Sequence, residues 1–113
     1  MSATELQLLE SSIKQSDELI ELGNCLERVR NNRDFKKIII EGYFEQEAVR
    51  LVHLKADNNM QSAESQKSIV AQMDAIGNLS QYFATLQFKA GMAHKAKASD
   101  EEMRDELLAE GQE

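Results

Sequence analysis

The sequence contains no proline in 113 residues and only five glycines. Proline fixes φ and removes a backbone donor, so a chain without it has few enforced helix stops. An average chain of this length would carry about five or six prolines. Aromatic residues are also sparse, with four Phe, two Tyr and no Trp. This combination predicts an all-α fold of long helices rather than a β-sandwich.

The first helix is predicted from Thr4, because Thr4-Glu5-Leu6-Gln7 has the form of a capping box. Apolar residues then recur three or four positions apart as far as Val29, as on one buried helical face. Gly23-Asn24 allows either a bend or a break, and the retained periodicity favours a bend. Asn31-Asn32 predicts the end of this helix and the cap of the next.

The second segment, RDFKKIIIEGYFEQEAVRLVHLKAD, gives conflicting local signals. Ile38–Ile40 and Tyr43-Phe44 have strand propensity. Apolar residues nevertheless repeat every three or four positions, with charged residues between them, which favours a helix. A strand at Ile38–Phe44 remains the alternative. The wide apolar arc predicts that the segment lies between two packing partners.

The third helix is predicted to follow Asp57-Asn58-Asn59, with either Ser62 or Ser65 as its N-cap. Its apolar stripe is the longest regular pattern in the chain and consists of Ile69, Met73, Ile76, Leu79, Phe83, Leu86, Ala90 and Ala93.

A second capping box, Ser99-Asp100-Glu101-Glu102, predicts a short acidic helix to about residue 109, terminated by Gly111. We therefore expect a helical domain at residues 1–98 and an acidic C-terminal helix or tail at residues 99–113. The expected architecture is an antiparallel helical hairpin, or a small bundle, of three long helices plus this short acidic helix.

The charge is unevenly distributed. The chain has a formal net charge of −7, and residues 99–113 hold seven acids and one base. We expect no nucleic-acid footprint, because the rest of the chain is nearly neutral. A local basic cluster could meet phosphate or an acidic protein surface, or could be a solvated turn. It consists of Arg28, Arg30, Arg33, Lys36 and Lys37.

The residue types that perform catalysis are scattered. His53 and His94 lack partners at metal-ligand spacing, and Glu41 and Glu45 have no Glu-x-x-His companion, so they are interpreted as a solvated face. The glycines are isolated, so no phosphate-binding loop is expected. Cys25 is the single cysteine, which excludes an internal disulfide. We therefore expect no enzyme activity, metal, cofactor or small-molecule substrate.

The wide apolar faces of the predicted helices would leave apolar surface exposed to water in a monomer. Such surface favours a homo-oligomer or a subunit of a larger protein assembly. The residues predicted to form the protein interface are Ile38, Ile39, Tyr43, Phe44, Leu51, Ile76, Phe83 and Leu86. The acidic segment is either a solubilising tail or a surface for a basic partner. Its candidate binding residues are Asp100, Glu101, Glu102, Asp105 and Glu106.

No apolar run has the length of a signal peptide or a membrane span, so we expect no membrane partner and a cytoplasmic location, or a particle assembled in the cytosol.

Residues 28–110 resemble small helical proteins encoded by tailed bacteriophages among their virion and head-assembly genes. The resemblance lies in RDFKKIIIEGYFEQEAVRLVHLKAD, the Met60-Gln61-Ser62 turn and Asp74-Ala75-Ile76-Gly77. It implies a structural or assembly subunit of a virion, made in a bacterial cytoplasm. The acidic helix would suit a basic surface on a capsid or connector. The alternative is a small regulator that binds and inhibits a host protein.

Overall fold

The computed structural model describes residues 2–111, and their side chains from residue 4 onward. Four α-helices account for most of this part of the chain: α1 (Ser2–Asn31), α2 (Arg33–Phe35), α3 (Ala48–Ala56) and α4 (Ala63–Glu110). A π-helix (Lys36–Glu47) joins α2 to α3, and a 3-10 turn (Asn58–Met60) precedes α4. The described residues include no strand, so the all-α prediction is confirmed and the strand alternative at Ile38–Phe44 is wrong.

Helix α1 begins at Ser2, two residues before the predicted start at Thr4. It continues through Gly23-Asn24 without interruption, so a break at that point is wrong. The predicted end of the first helix and cap of the next at Asn31-Asn32 are confirmed. Asn32 is extended (φ −69°, ψ 128°), and its Oδ1 accepts a hydrogen bond from the Phe35 N–H at 3.0 Å. This side chain satisfies one of the donors that a helix start leaves without a partner.

The apolar periodicity of the sequence predicts an α-helix here and did not predict the π-helix. Its hydrogen bonds join residues five apart, which gives a wider turn than an α-helix. An added Cβ at Gly42 would lie 3.2 Å from the Lys37 carbonyl oxygen, so this position is tight for any larger residue. No residue of the π-helix is buried. Leu51, later in the same predicted segment, is fully buried, so the expectation that the segment lies between two packing partners stays a prediction.

The connection between α3 and α4 is held by polar side chains. Asp57 leaves the helical region (ψ 131°), and its Oδ1 accepts from the Asn59 N–H at 2.8 Å. The Nε2 atoms of Gln61 and Gln66 each donate to the Lys55 carbonyl at 2.9 Å, which satisfies an acceptor at the end of α3. Ser62 is the N-cap of α4, since its Oγ accepts from the Ser65 N–H at 3.1 Å.

Helix α4 is continuous for 48 residues, so the helix start predicted at Ser99 is wrong. A capping box is useful only where the preceding turn offers no carbonyls, and here the preceding turn is helical. The division into residues 1–98 and 99–113 stays a prediction. The predicted stop is confirmed, because α4 ends at Glu110 and the Gly111 N–H donates to the Leu107 carbonyl at 3.1 Å.

The chain divides into two compact units. Unit 1 combines Met1–Leu26 with Thr85–Glu113, and unit 2 is Glu27–Ala84. Within unit 1 the two helical segments run antiparallel, because Ser12 contacts Asp100, Asp17 contacts Lys97, and Gly23 faces Ala90. The buried residues of unit 1 are mostly small, and they are Ile13, Ser16, Leu26, Ala90 and Ala93.

Unit 2 has the larger apolar core. Leu51 is fully buried, Ile69 is 1% exposed, and Ile76 completes the buried cluster. Burying a side chain of this size contributes about 1.5–3 kcal/mol relative to leaving it exposed. Partly buried residues surround this cluster, and they are Tyr43, Phe44, Ala48, Leu54, Met60 and Met73.

Candidate protein-interaction surfaces

Two of the predicted interface residues lie in the core of unit 2. Leu51 is completely buried and Ile76 is 7% exposed, and both belong to the same apolar cluster. Their helical periodicity reflects packing within the chain, which leaves them no surface to offer to another protein. Leu86, also in the predicted set, is half-buried on the α4 segment of unit 1.

Three more predicted residues, Tyr43, Phe44 and Phe83, form an aromatic cluster in unit 2 together with Phe35. The Phe83 ring centroid lies 6.0 Å from that of Phe35 and 5.9 Å from that of Phe44, in a tilted and an edge-on arrangement respectively. The Tyr43 and Phe44 rings are 6.0 Å apart. The Arg30 guanidinium lies 5.9 Å from the Phe83 centroid, within cation–π range. Three of these rings belong to the predicted set of interface residues, whereas Phe35 does not.

Ile38 and Ile39 lie on the π-helix and differ in exposure. The Ile38 side chain is 66% exposed, whereas Ile39 is half-buried. Of the eight residues predicted for an interface, Ile38 therefore presents the most open apolar side chain. A contact with another chain through Ile38 and Ile39 stays a prediction.

Other exposed apolar side chains were not among the predicted interface residues. Phe88 is 69% exposed and Met92 is 50% exposed, and their four-residue spacing places them on one face of α4. Leu8 (68%) and Leu22 (48%) are two heptads apart and share a face of α1. Phe88, Met92 and Leu8 lie outside the predicted apolar stripes, whereas Leu22 belongs to the stripe predicted for the first helix and is exposed nonetheless.

A seam of residues on α4 changes from apolar to polar along unit 1. Apart from Glu101, the buried and half-buried positions recur with alternating spacings of four and three, and they are Leu86, Ala90, Ala93, Lys97, Asp100, Arg104 and Leu107. This 3.5-residue repeat is typical of coiled-coil packing. Polar groups in such a seam favour one register, because any shift would leave them without partners.

Lys97 and Asp100 make the polar contacts of this seam. The Lys97 Nζ lies 2.6 Å from Asp17 Oδ1 and 3.7 Å from Glu101 Oε1, and the Ser12 hydroxyl donates to Asp100 Oδ2 at 2.6 Å. The hydrogen bond to Asp17 is the main cause that raises the pKa of Lys97 above its usual range, and the charge of Glu101 adds to it. These contacts join α1 to α4 within unit 1.

The residues of the predicted acidic surface therefore differ in their contacts and in their exposure. Asp100 and Glu101 interact within the chain. Glu102, Asp105 and Glu106 are exposed, although Asp105 also lies 3.6 Å from the adjacent Arg104 Nε. Only the exposed carboxylates are oriented for contact with an outside partner.

Three of the five residues of the basic cluster line a surface concavity in unit 2. The concavity has a volume of about 380 Å³ and is lined by Asn31, Arg33, Lys36, Lys37 and Glu41. The three cationic side chains are exposed. We call Arg33, Lys36 and Lys37 the basic concavity.

A separate ion pair joins the end of the π-helix to α3. Glu47 accepts hydrogen bonds from the Arg50 guanidinium, at 3.1 Å from Nε to each carboxylate oxygen. These bonds lower the pKa of Glu47 and raise that of Arg50. The pair is exposed, so its contribution to stability is small.

The remaining candidates for chemistry are dispersed. His53 and His94 are exposed, and the half-buried Cys25 thiol donates to Glu21 Oε1 at 3.7 Å. Among residues 2–111, no group of three or more His, Cys, Asp or Glu side chains is arranged to hold a metal ion. Within the same range, none of the helices combines the length and apolar character needed to cross a bilayer.

Comparison of this chain with protein-family models, curated proteins and solved structures finds no match.

Proposed function

We propose that this chain is a non-enzymatic helical subunit that associates with further copies of itself in a larger protein assembly. The observation that supports self-association is the set of large apolar side chains that remain exposed.

Among the described residues, twelve large apolar side chains are at least 39% exposed. Single exposed apolar residues are ordinary, but pairs on one helix face form patches that usually mark an interface.

The apolar pair Phe88 and Met92 is the best candidate for the self-association surface. Both side chains are at least half exposed on one face of α4. Aromatic and methionine side chains are enriched at protein interfaces because they bury large areas and adapt to their partners.

The proposed setting is the virion of a tailed bacteriophage, with synthesis in the bacterial cytoplasm. The support for this setting is the resemblance of residues 28–110 to phage virion and head-assembly proteins.

Light scattering with size-exclusion separation, over a wide concentration range, tests self-association. The wild-type protein is expected to form a complex of fixed subunit number. The double variant F88S/M92S is expected to dissociate, because the apolar area that drives association is removed. The control is K89S/K95S, which changes two exposed polar positions on the same helix and should associate as the wild type does. A wild-type protein that remains monomeric at all concentrations would contradict the proposal.

A second candidate function is inhibition of a host protein through the exposed acidic residues of α4. Glu102, Asp105 and Glu106 favour it, since they are accessible on a rigid helix. Affinity capture from bacterial lysate separates the two functions. Recovery of one host protein at fixed stoichiometry, lost in E102Q/D105N/E106Q, would support the regulator, whereas copies in purified particles would support the virion subunit.

A further inference from the structure

We infer that the basic concavity binds the acidic end of α4 from a second copy of this chain, which specifies the contact within the self-association proposed above. The acidic partner is a stripe of three exposed carboxylates at successive four-residue intervals, Glu102, Glu106 and Glu110, which we call the acidic stripe. Three cations and three anions are thus available on each copy.

The basic concavity lacks compensation within its own chain. Among the described residues, Arg33, Lys36 and Lys37 take part in none of the ion pairs, whereas Arg50, Lys97 and Arg104 each have a carboxylate within 4.0 Å. Glu41 is the one acid among the lining residues. Arg33 and Lys37 are also four residues apart, a spacing at which like charges on a helix repel each other.

The acidic stripe is unfavourable for two reasons. Like charges four residues apart destabilise a helix. Negative charges near the C-terminus also oppose the helix dipole, and the last turn of α4 contains no basic residue to offset them. A cationic surface bound to this stripe would relieve both effects at once.

The chemistry favours a second copy over another anion. The two surfaces are opposite in sign and equal in formal charge, and both are present on every molecule at the same concentration. The concavity of about 380 Å³ is also wide enough to admit carboxylate side chains. A contact between two different patches of the same protein is heterologous, so it joins subunits head to tail, and a closed ring of such contacts has a fixed subunit number.

Two neutralised variants test this contact. The basic-neutral variant is R33Q/K36Q/K37Q, and the acid-neutral variant is E102Q/E106Q/E110Q. Each variant keeps one intact surface, so each alone is expected to associate roughly tenfold more weakly than the wild type. An equimolar mixture of the two is expected to associate more tightly than either variant alone, because each 1:1 complex contains one intact contact between a basic concavity and an acidic stripe. Sedimentation velocity measures all three samples, and circular dichroism checks that each variant retains its helix content.

Ionic strength provides the second measurement. Wild-type association is expected to weaken roughly tenfold between about 50 mM and about 500 mM NaCl, because exposed charges are screened within a few ångströms at high salt. The 1:1 complex of the mixed variants should show the same dependence.

The outcomes separate this inference from the proposal of self-association. If both variants assemble as the wild type does while F88S/M92S dissociates, self-association stands and the charge contact is wrong. If only the basic-neutral variant is impaired, the concavity binds a different anion and the second-copy assignment is overturned. A monomeric wild type would contradict both.

Discussion

Gly23 lies at a close approach of the two helices of unit 1. A Cβ built at this position would be 2.5 Å from the Ala90 Cβ, a distance that real side chains do not adopt. Ala90 itself is 7% exposed. A clash with an added Cβ at Gly23 could therefore be relieved only if one of the two helices moved. The glycine is therefore required by packing, although it costs roughly 1 kcal/mol of helix propensity relative to alanine.

The substitution Gly23→Ala is expected to lower the free energy of unfolding by about 1–3 kcal/mol, because overpacking outweighs the gain in helix propensity. The control is Gly91→Ala, in the same unit, where an added Cβ meets nothing within 4 Å. That change should raise stability by about 0.5–1 kcal/mol. Urea titration measures both. Equal stability of the two variants would show that the close approach does not limit packing.

The contribution of Lys97 to the stability of the fold is expected to depend on pH. Because its pKa is raised in the folded protein, chiefly by Asp17, the ion pair stabilises the fold at neutral pH. This contribution is lost as the pH rises through the raised pKa, where the amine loses its proton. The stability difference between the wild type and K97M is therefore expected to shrink at alkaline pH.

The control for this measurement is K95M, since Lys95 is exposed and in no ion pair of the described structure. Denaturant titrations between neutral pH and about pH 11 compare the two variants. A parallel change in both would mean that net charge, rather than the contact with Asp17, determines the effect.

At the scale of elements, the π-helix is the unusual feature. Twelve residues adopt this wider form, whereas π-helical geometry is mostly confined to single turns. Three consecutive isoleucines lie within it, and β-branched side chains crowd the preceding turn of an α-helix. Gly42 leaves room beside the Lys37 carbonyl, which accepts from the N–H five residues later in this geometry.

The change Gly42→Ala is expected to shift hydrogen bonds in this segment toward the four-residue spacing of an α-helix. The added methyl would lie 3.2 Å from the Lys37 carbonyl oxygen, and alanine favours the α-helix by roughly 1 kcal/mol over glycine. Through-hydrogen-bond NMR couplings identify the carbonyl partner of each amide. Gln46→Ala, at an exposed position of the same element, should leave the couplings unchanged. An unaltered pattern in G42A would show that Gly42 does not determine the geometry.

At the scale of the whole molecule, the two units differ in what they bury. Unit 2 buries Leu51, Ile69 and Ile76 with several aromatic neighbours. Unit 1 buries two alanines and a serine among its five buried residues. Since apolar area removed from water is the main favourable contribution to folding, unit 1 has the smaller share of it.

Hydrogen exchange is therefore expected to show earlier opening in unit 1 than in the helices around Leu51 and Ile69. The variant L51A should lower protection in unit 2 by an amount equivalent to about 2–5 kcal/mol, because it leaves a cavity in a fully buried site. V52A, whose valine is 55% exposed, is the matched control and should change little. Uniform protection across both units would contradict this difference.

The sequence alone determined the fold class and most helix ends. Absence of proline and the three-and-four spacing of apolar residues specify helices, since both depend only on local backbone geometry. The ends at Asn31-Asn32, Asp57 and Gly111 were predictable for the same reason, because each depends on groups within a few residues of one another. The sequence predicted only in part which apolar side chains stay exposed, since a periodic apolar residue such as Leu51 can be buried by its own chain or by another.

The continuity of α4 and the close helix approach depend on tertiary contacts. The capping box at Ser99 is locally satisfactory, yet α4 continues through it, because residues 97 and 100 contact α1 across the helix pair of unit 1. The close approach at Gly23 likewise depends on Ala90, 67 positions away in the chain. Contacts between residues so far apart leave no trace in local propensity, and only the packed structure reveals which apolar side chains are buried and which carboxylates face outward.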